Sequence, residues 1–156
     1  MISKFMDTIA SLKKDGLIKE CTVDIKVINN LIKRSLKDIE TAERNLNADN
    51  DCSYSFAYNA LLHAGLAFMQ SKGLRASVIG KHITVVKYIN AVLDKKFSDL
   101  INNYDFMRKK RHKFIYEPDI PCSKIEAEEA IKTAKDLIEI IKKTIKEKDP
   151  QLSFDF

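Results

Sequence analysis

Tryptophan is absent from this chain, and its 156 residues include only four Gly, three Pro, three Cys and three His. So few turn-formers exclude a hairpin-rich β architecture and leave helix as the default element. Cys21, Cys52 and Cys122 are odd in number, far apart and in no Cys-x-x-Cys arrangement. That pattern excludes a disulfide framework and a zinc knuckle and predicts reduced thiols. His63, His82 and His112 are scattered, with no acidic pair at ligand spacing, so no metal and no cofactor are expected. No apolar run approaches the roughly 20 residues needed to cross a bilayer, and the lysine-interrupted start lacks a secretory core. The expected location is the cytoplasm, with no membrane contact.

What is present is apolar periodicity. The hydrophobic content of 45% suffices for the core of one ordinary domain. Ile2 to Lys14 carries Phe5, Ile9 and Leu12 at helical spacing and stops at Asp15-Gly16. From Ile28, the positions Leu31, Ile32, Leu36, Ile39, Ala42 and Leu46 form an amphipathic stripe that breaks at 45–51. Asp51 or Ser53 is predicted to cap the next helix, whose Phe56, Ala57, Ala60, Leu61, Ala64, Ala67 and Phe68 run to Gly73. A loop over 74–81 precedes a β-branched segment, Ile83 to Leu93, predicted helical although Val and Ile also suit strands. Another helix runs from Phe97 through Leu100, Ile101 and Tyr104 and ends before Pro118. The last opens with the capping box Ser123-Lys-Ile-Glu126 and keeps Ala127, Ala130, Ile131, Ala134, Leu137, Ile138, Ile141 and Ile145 on one side. The expected fold is all-α, an antiparallel up-and-down bundle of four main helices plus a short N-terminal helix. Residues 1–20 form a segment packed on the bundle, 21–148 the bundle itself and 149–156 a tail.

The charge is weakly basic, with 27 Lys and Arg against 22 Asp and Glu and a formal net charge of +5. That excess favours anionic partners without identifying one. It is concentrated, however, in Arg108-Lys-Lys-Arg-His-Lys113, followed by Phe114-Ile-Tyr116. On a helix Arg108, Arg111 and His112 share a side, from which the guanidinium groups can grip a phosphate and the imidazole can carry a proton. Tyr116 adds a ring on which a base can stack. Arg108, Lys109, Lys110, Arg111 and Lys113 are the candidate nucleic-acid contacts. A solvated helix end that merely complements its own dipole is the bland alternative. His63, among Leu61, Leu62 and Ala64, reads as a satisfied, partly buried side chain, whereas His82 at a helix start is open to a structural, interfacial or functional role.

Three pieces of the sequence together resemble the HEPN domain family. They are Ser53-Tyr-Ser-Phe-Ala-Tyr-Asn-Ala-Leu-Leu-His-Ala-Gly-Leu-Ala-Phe68 with Lys72-Gly-Leu-Arg75, the stretch Gly80-Lys-His82, and Arg111-His-Lys-Phe-Ile-Tyr116. The resemblance spans about Val27 to Ile145. It implies a helical bundle, usually a homodimer, whose late-helix polar motif faces a basic cleft that acts on or binds RNA or nucleotide. It also implies a toxin–antitoxin or defence setting with a small nucleotidyltransferase as partner. In family ribonucleases an Arg is followed four to six residues later by a His. Here Arg111 matches the Arg, His112 matches the polar position behind it, and Tyr116 stands where the distal His would be. Arg111, His112 and Tyr116 are thus the catalytic candidates. A phenol with a pKa of about 10 is a poorer proton carrier at neutral pH than an imidazole, so the reading turns from cutting toward binding.

The tail Gln151-Leu-Ser-Phe-Asp-Phe156 resembles the peptides that dock bacterial sliding clamps. Leu152, Phe154 and Phe156 would fill an apolar groove while Gln151 bonds at its rim. The alternative function is therefore a non-catalytic interaction module whose tail recruits such a partner. Folding back of these apolar side chains onto the bundle is the competing arrangement.

Overall fold

The computed structural model describes residues 2–117, 119–150 and 152–156, with the side chains of Ile2, Ser3 and Ile115 outside that description. Four long helices form the body: α2 (Ile25–Asn45), α3 (Asn50–Gln70), α5 (Ser98–Tyr116) and α6 (Lys124–Lys148). Two shorter ones, α1 (Ile2–Lys14) and α4 (Lys81–Val92), pack against each other at one side. The all-α bundle follows from the sequence periodicity, and the β-branched segment predicted helical over Ile83 to Leu93 forms α4.

Helix α3 is the axis of the molecule, in contact with α2, α4, α5 and α6. It can be central because its buried face is built on Ala57, Ala60, Ala64 and Ala67, which let neighbouring helices come close. On α6, every apolar position of the predicted stripe is buried, from Ala127 to Ile145. The capping box that opens α6 is made as expected: Glu126 N–H donates to Ser123 Oγ and Ser123 N–H donates to Glu126 Oε1, each at 3.1 Å.

Three local expectations change. The N-cap of α3 is Asp49, which accepts from Cys52 N–H at 3.0 Å, so neither Asp51 nor Ser53 fills that role. Both are used elsewhere: Asp51 accepts the Cys122 amide at 2.8 Å and so ties the lead into α6 to α3, and Ser53 donates to Ala42 O across to α2. The stretch predicted as a plain loop contains a strand, β2 (Leu74–Ala76), antiparallel to β1 (Ile18–Glu20) with Ile18 opposite Ala76. The segment 1–20 therefore ends in a strand. This two-stranded clasp, with Ile18 and Leu74 buried, fastens the α1–α2 connection to the α3–α4 connection.

The clasp feeds α4 into place. Gly80 caps that helix at φ 72°, a left-handed conformation that glycine adopts without cost, and offers no side chain to the first-turn amides. Farther along, α4 crosses α3 at Gly65, where an added Cβ would lie only 2.2 Å from Val85 Cγ1. Close contact at this point sets where the start of α4, with His82, meets α3.

Candidate phosphate-binding site

The basic run lies on the last two turns of α5, and its side chains divide into two surroundings. Arg111 turns inward: its guanidinium carbon sits 5.4 Å from the centre of the Tyr58 ring of α3. Arg111 Nε is buried and has no hydrogen-bond partner among the described residues. A buried guanidinium nitrogen without an acceptor is unusual enough to need a reason. His112 faces out, exposed, against Tyr116, with ring centres 4.4 Å apart, and Tyr116 is 70% exposed. Arg111 and His112 therefore do not converge on one point, although they are adjacent in sequence; the turn of about 100° per residue separates them.

The remaining cations are partly committed. Arg108 donates through Nε and Nη2 to Asp105 Oδ1, both at 2.9 Å, and Lys109 pairs with the other oxygen of Asp105 at 3.4 Å. Lys110 pairs with Glu126 at the start of α6. Among the described residues Arg111 and Lys113 form no ion pair, and Lys113 is exposed.

Around Arg111 the fold assembles groups that lie far away in sequence. Tyr58 Oη and His82 Nδ1 are 2.7 Å apart, and the two rings lie nearly parallel, 10° between planes with centres at 5.7 Å. Tyr104 of α5 is fully buried, its ring centre 5.7 Å from that of Tyr58, and its hydroxyl has only the Tyr58 hydroxyl near it as a polar neighbour among the described residues. Burial pushes the Tyr58 hydroxyl up to about 12, against the opposing pull of Arg111 and Arg108. Burial likewise keeps the Tyr104 hydroxyl well above the usual phenol range. His82 moves the other way: burial lowers its pKa, and Arg111, Lys81 and Arg108 lower it further. At neutral pH the cluster is thus a protonated phenol bonded to an uncharged imidazole beside an uncommitted guanidinium.

Sequence reading found Arg111 but missed Tyr58, Tyr104 and Asp105 and left His82 open. The signal for Tyr58 was its position on the buried alanine face of α3, where a phenol hydroxyl needs a partner. His63 is held as expected, with Nδ1 2.7 Å from Asp38 Oδ2; Asp38 is 2% exposed and also pairs with Arg34. No group of three or more His, Cys, Asp or Glu suited to a metal occurs among the described residues.

A separate cleft of about 370 Å³ opens between α5 and α6. Its charged lining is Glu126, Glu129 and Asp136 against the single Lys132, with Phe106 and Met107 beside them and Arg111 outside it. Its acids make it a poor host for a phosphate.

The tail lies on the bundle. Asp155 N–H donates to Asn29 Oδ1 at 3.0 Å, Lys33 pairs with Asp155 at 3.4 Å, and Lys146 Nζ stands 5.1 Å from the centre of the Phe156 ring. Phe154 and Phe156 pack side by side, ring centres 5.2 Å apart, half-buried against the core, and Leu152 is half-buried too. Gln151 lies outside the described residues.

Fold and site define a helical bundle whose late helix presents an arginine to a buried polar cluster. The family model of the HEPN domain matches residues 28–145, most of the chain, and the chain belongs to that family. No curated protein and no solved structure gives a significant match. Among the described residues, no helix is long and apolar enough to cross a membrane.

Proposed function

We propose that this protein is a cytoplasmic HEPN domain that binds RNA or nucleotide through the C-terminal turns of α5, with Arg111 as the principal phosphate contact. The observation that carries this is the Arg111 guanidinium: inward-facing and, among the described residues, without an ion pair and with its buried Nε lacking an acceptor. A phosphate supplies the acceptor the protein does not, and the guanidinium fork matches its oxygens. Lys113, Lys109, Lys110 and Arg108 add the surrounding positive field. The exposed His112–Tyr116 ring pair offers a stacking surface for an unpaired base. Binding rather than cleavage is the activity, because Tyr116 replaces the distal histidine and His112 faces away from Arg111.

The protein works as a homodimer, in a toxin–antitoxin or defence setting with a small nucleotidyltransferase as its partner. Exposed apolar side chains flank the site, with Val78 and Ile79 before α4 at 85% and 84% exposure. Ile120 and Ile125 are exposed around the α5–α6 turn as well. A second subunit would cover such side chains. Light scattering that returns only the 17.9 kDa monomer would remove the dimer from this reading.

The test is a titration of fluorescein-labelled single-stranded RNA followed by anisotropy at several salt concentrations, repeated with a nucleoside monophosphate as competitor. Engagement of two or three phosphates gives a log–log salt slope of roughly −1.4 to −2.1. Affinity that is absent, or flat against salt, contradicts the proposal. Displacement by the competitor at low concentration makes nucleotide, rather than RNA, the ligand.

A second reading attaches to the tail as a recruiting peptide for a partner such as a sliding clamp, through Gln151, Leu152, Phe154 and Phe156. What favours it is the apolar alternation of Leu152, Phe154 and Phe156, which the bundle only half buries, with one hydrogen bond to Asn29 and an exposed ion pair worth about 0–1 kcal/mol as the polar ties. Full-length protein should then capture purified clamp, and a chain lacking residues 151–156 should not, with RNA affinity unchanged. Failure of the full chain to capture clamp sinks this reading.

A further inference from the structure

We propose that His82, oriented by Tyr58, is the second phosphate ligand of the Arg111 site, so that the imidazole missing from the end of α5 is supplied from the start of α4. This rests on the reading of Arg111 as a phosphate contact. The geometry that carries it is a chain of contacts through one ring: Arg111 over the Tyr58 face at 5.4 Å and His82 on the Tyr58 hydroxyl at 2.7 Å. Tyr58 thus holds both groups at one side of α3, which neither the sequence spacing nor α5 alone brings about.

The tautomer of His82 follows from hydrogen-bond supply. The Tyr58 hydroxyl has one proton, and the Tyr104 hydroxyl near it is on the donating side of their pair, which leaves His82 Nδ1 as the acceptor for the Tyr58 proton. Tyr58 therefore donates to Nδ1, and the neutral imidazole carries its own proton on Nε2, directed away from Tyr58. An Nε2–H of fixed orientation and an uncommitted guanidinium, both held on Tyr58, supply two donors for the oxygens of a phosphodiester. Gly80 leaves the first-turn amides of α4 uncapped next to it, which adds positive partial charge on the same side.

The groups facing His82 are Arg111, Arg108 and its partner Asp105 from α5, Tyr58 from α3, Tyr104 from α5 and Lys81 from its own helix. None of these types ordinarily titrates between about pH 5.5 and 7.5, where the imidazole does. In the free protein its surroundings disfavour the charged ring. A bound phosphate reverses that balance, so proton uptake accompanies binding and affinity rises as pH falls. In the unliganded protein the sign is opposite for stability. The unfolded chain takes up the His82 proton first, so His82 subtracts stability as pH falls through about 6.5.

The experiment measures RNA affinity by anisotropy at about pH 6 and pH 7.5, in EDTA, for wild type, His82→Gln, Tyr58→Phe and Arg111→Ala. The imidazole titration of His82 is followed in parallel by NMR of the wild-type protein, with and without saturating RNA. His82→Gln should bind about tenfold more weakly near pH 6 and show a flattened pH dependence. Tyr58→Phe should lose part of the same affinity, and RNA should raise the pKa of His82 in wild type. If Arg111→Ala loses affinity while His82→Gln binds like wild type at both pH values, the role of His82 is overturned and that of Arg111 stands. An imidazole titration unmoved by saturating RNA overturns it equally, without depending on any variant folding. If Arg111→Ala binds as tightly as wild type, both the reading of Arg111 and this inference fall.

Discussion

Arg111→Ala should weaken RNA binding by about 10- to 100-fold at moderate salt, the loss for a charge-assisted hydrogen-bonding group removed from a phosphate. The magnitude follows from where the side chain sits. Exposed Lys113, removed in the same way, loses only a screened contact and should cost a few-fold, with the salt slope reduced by about one unit or less. Arg111 has its Nε out of water and its guanidinium carbon 5.4 Å from the centre of the Tyr58 ring, so its position is set before the ligand arrives. Arg111→Lys separates charge from shape: an ammonium keeps the charge but neither the fork nor the flat face, and most of the affinity should still be lost. Folding is a small part of the effect, since the contact with Tyr58 is worth about 0.5–1 kcal/mol. Equal losses for Arg111→Ala and Lys113→Ala, measured by anisotropy, would mean that a diffuse basic helix end, and no particular residue, attracts the RNA.

The second large effect is expected at Gly65, which touches no ligand. A methyl group there would meet Val85 Cγ1 at 2.2 Å and Ile89 Cδ1 at 3.2 Å. Val85 is β-branched and confined to essentially one rotamer in a helix, so it cannot swing aside and α4 must tilt away from α3. Overpacking of this kind costs about 1–3 kcal/mol, against a gain of about 1 kcal/mol for alanine over glycine inside a helix. Gly65→Ala should therefore be destabilised by up to about 2 kcal/mol, lowering Tm by up to roughly 8 °C for a domain of this size. In a Val85→Ala background the clash disappears and only the helix gain remains, so the same substitution should become neutral or stabilising. Because the α3–α4 crossing places His82 on Tyr58, Gly65→Ala should also weaken RNA binding at temperatures where it remains folded. Additive melting effects of the two substitutions would show that the crossing at Gly65 has slack.

Elements with a long apolar period and a defined start were legible from sequence. Helix α6 combined eight apolar positions over five turns with a capping box, and the structure buries all eight. Elements defined by pairing across the chain were not legible. β1 and β2 are three residues each and exist because each finds the other, 58 residues apart at Ile18 and Ala76. The cap of α3 was misplaced because Asp49, Asp51 and Ser53 are all good acceptors within five residues; tertiary bonds from Cys122 and to Ala42 claim two of them. The candidate site shows the same division. Arg111 stood out because a basic run is visible in one dimension, whereas Tyr58 and His82 join it only once α3, α4 and α5 have packed. His112 was given the place of a neighbour to Arg111 by sequence adjacency, and helical rotation takes it to the opposite surroundings.

A crystal structure of the protein bound to a short single-stranded RNA would decide most directly whether Arg111 and His82 form one phosphate site. We expect one phosphate with oxygens about 2.7–3.2 Å from the Arg111 guanidinium and from His82 Nε2, and a base near the His112–Tyr116 pair. RNA lying along the lysines of α6, with Arg111 still stacked on Tyr58 and no phosphate at His82, would contradict the site.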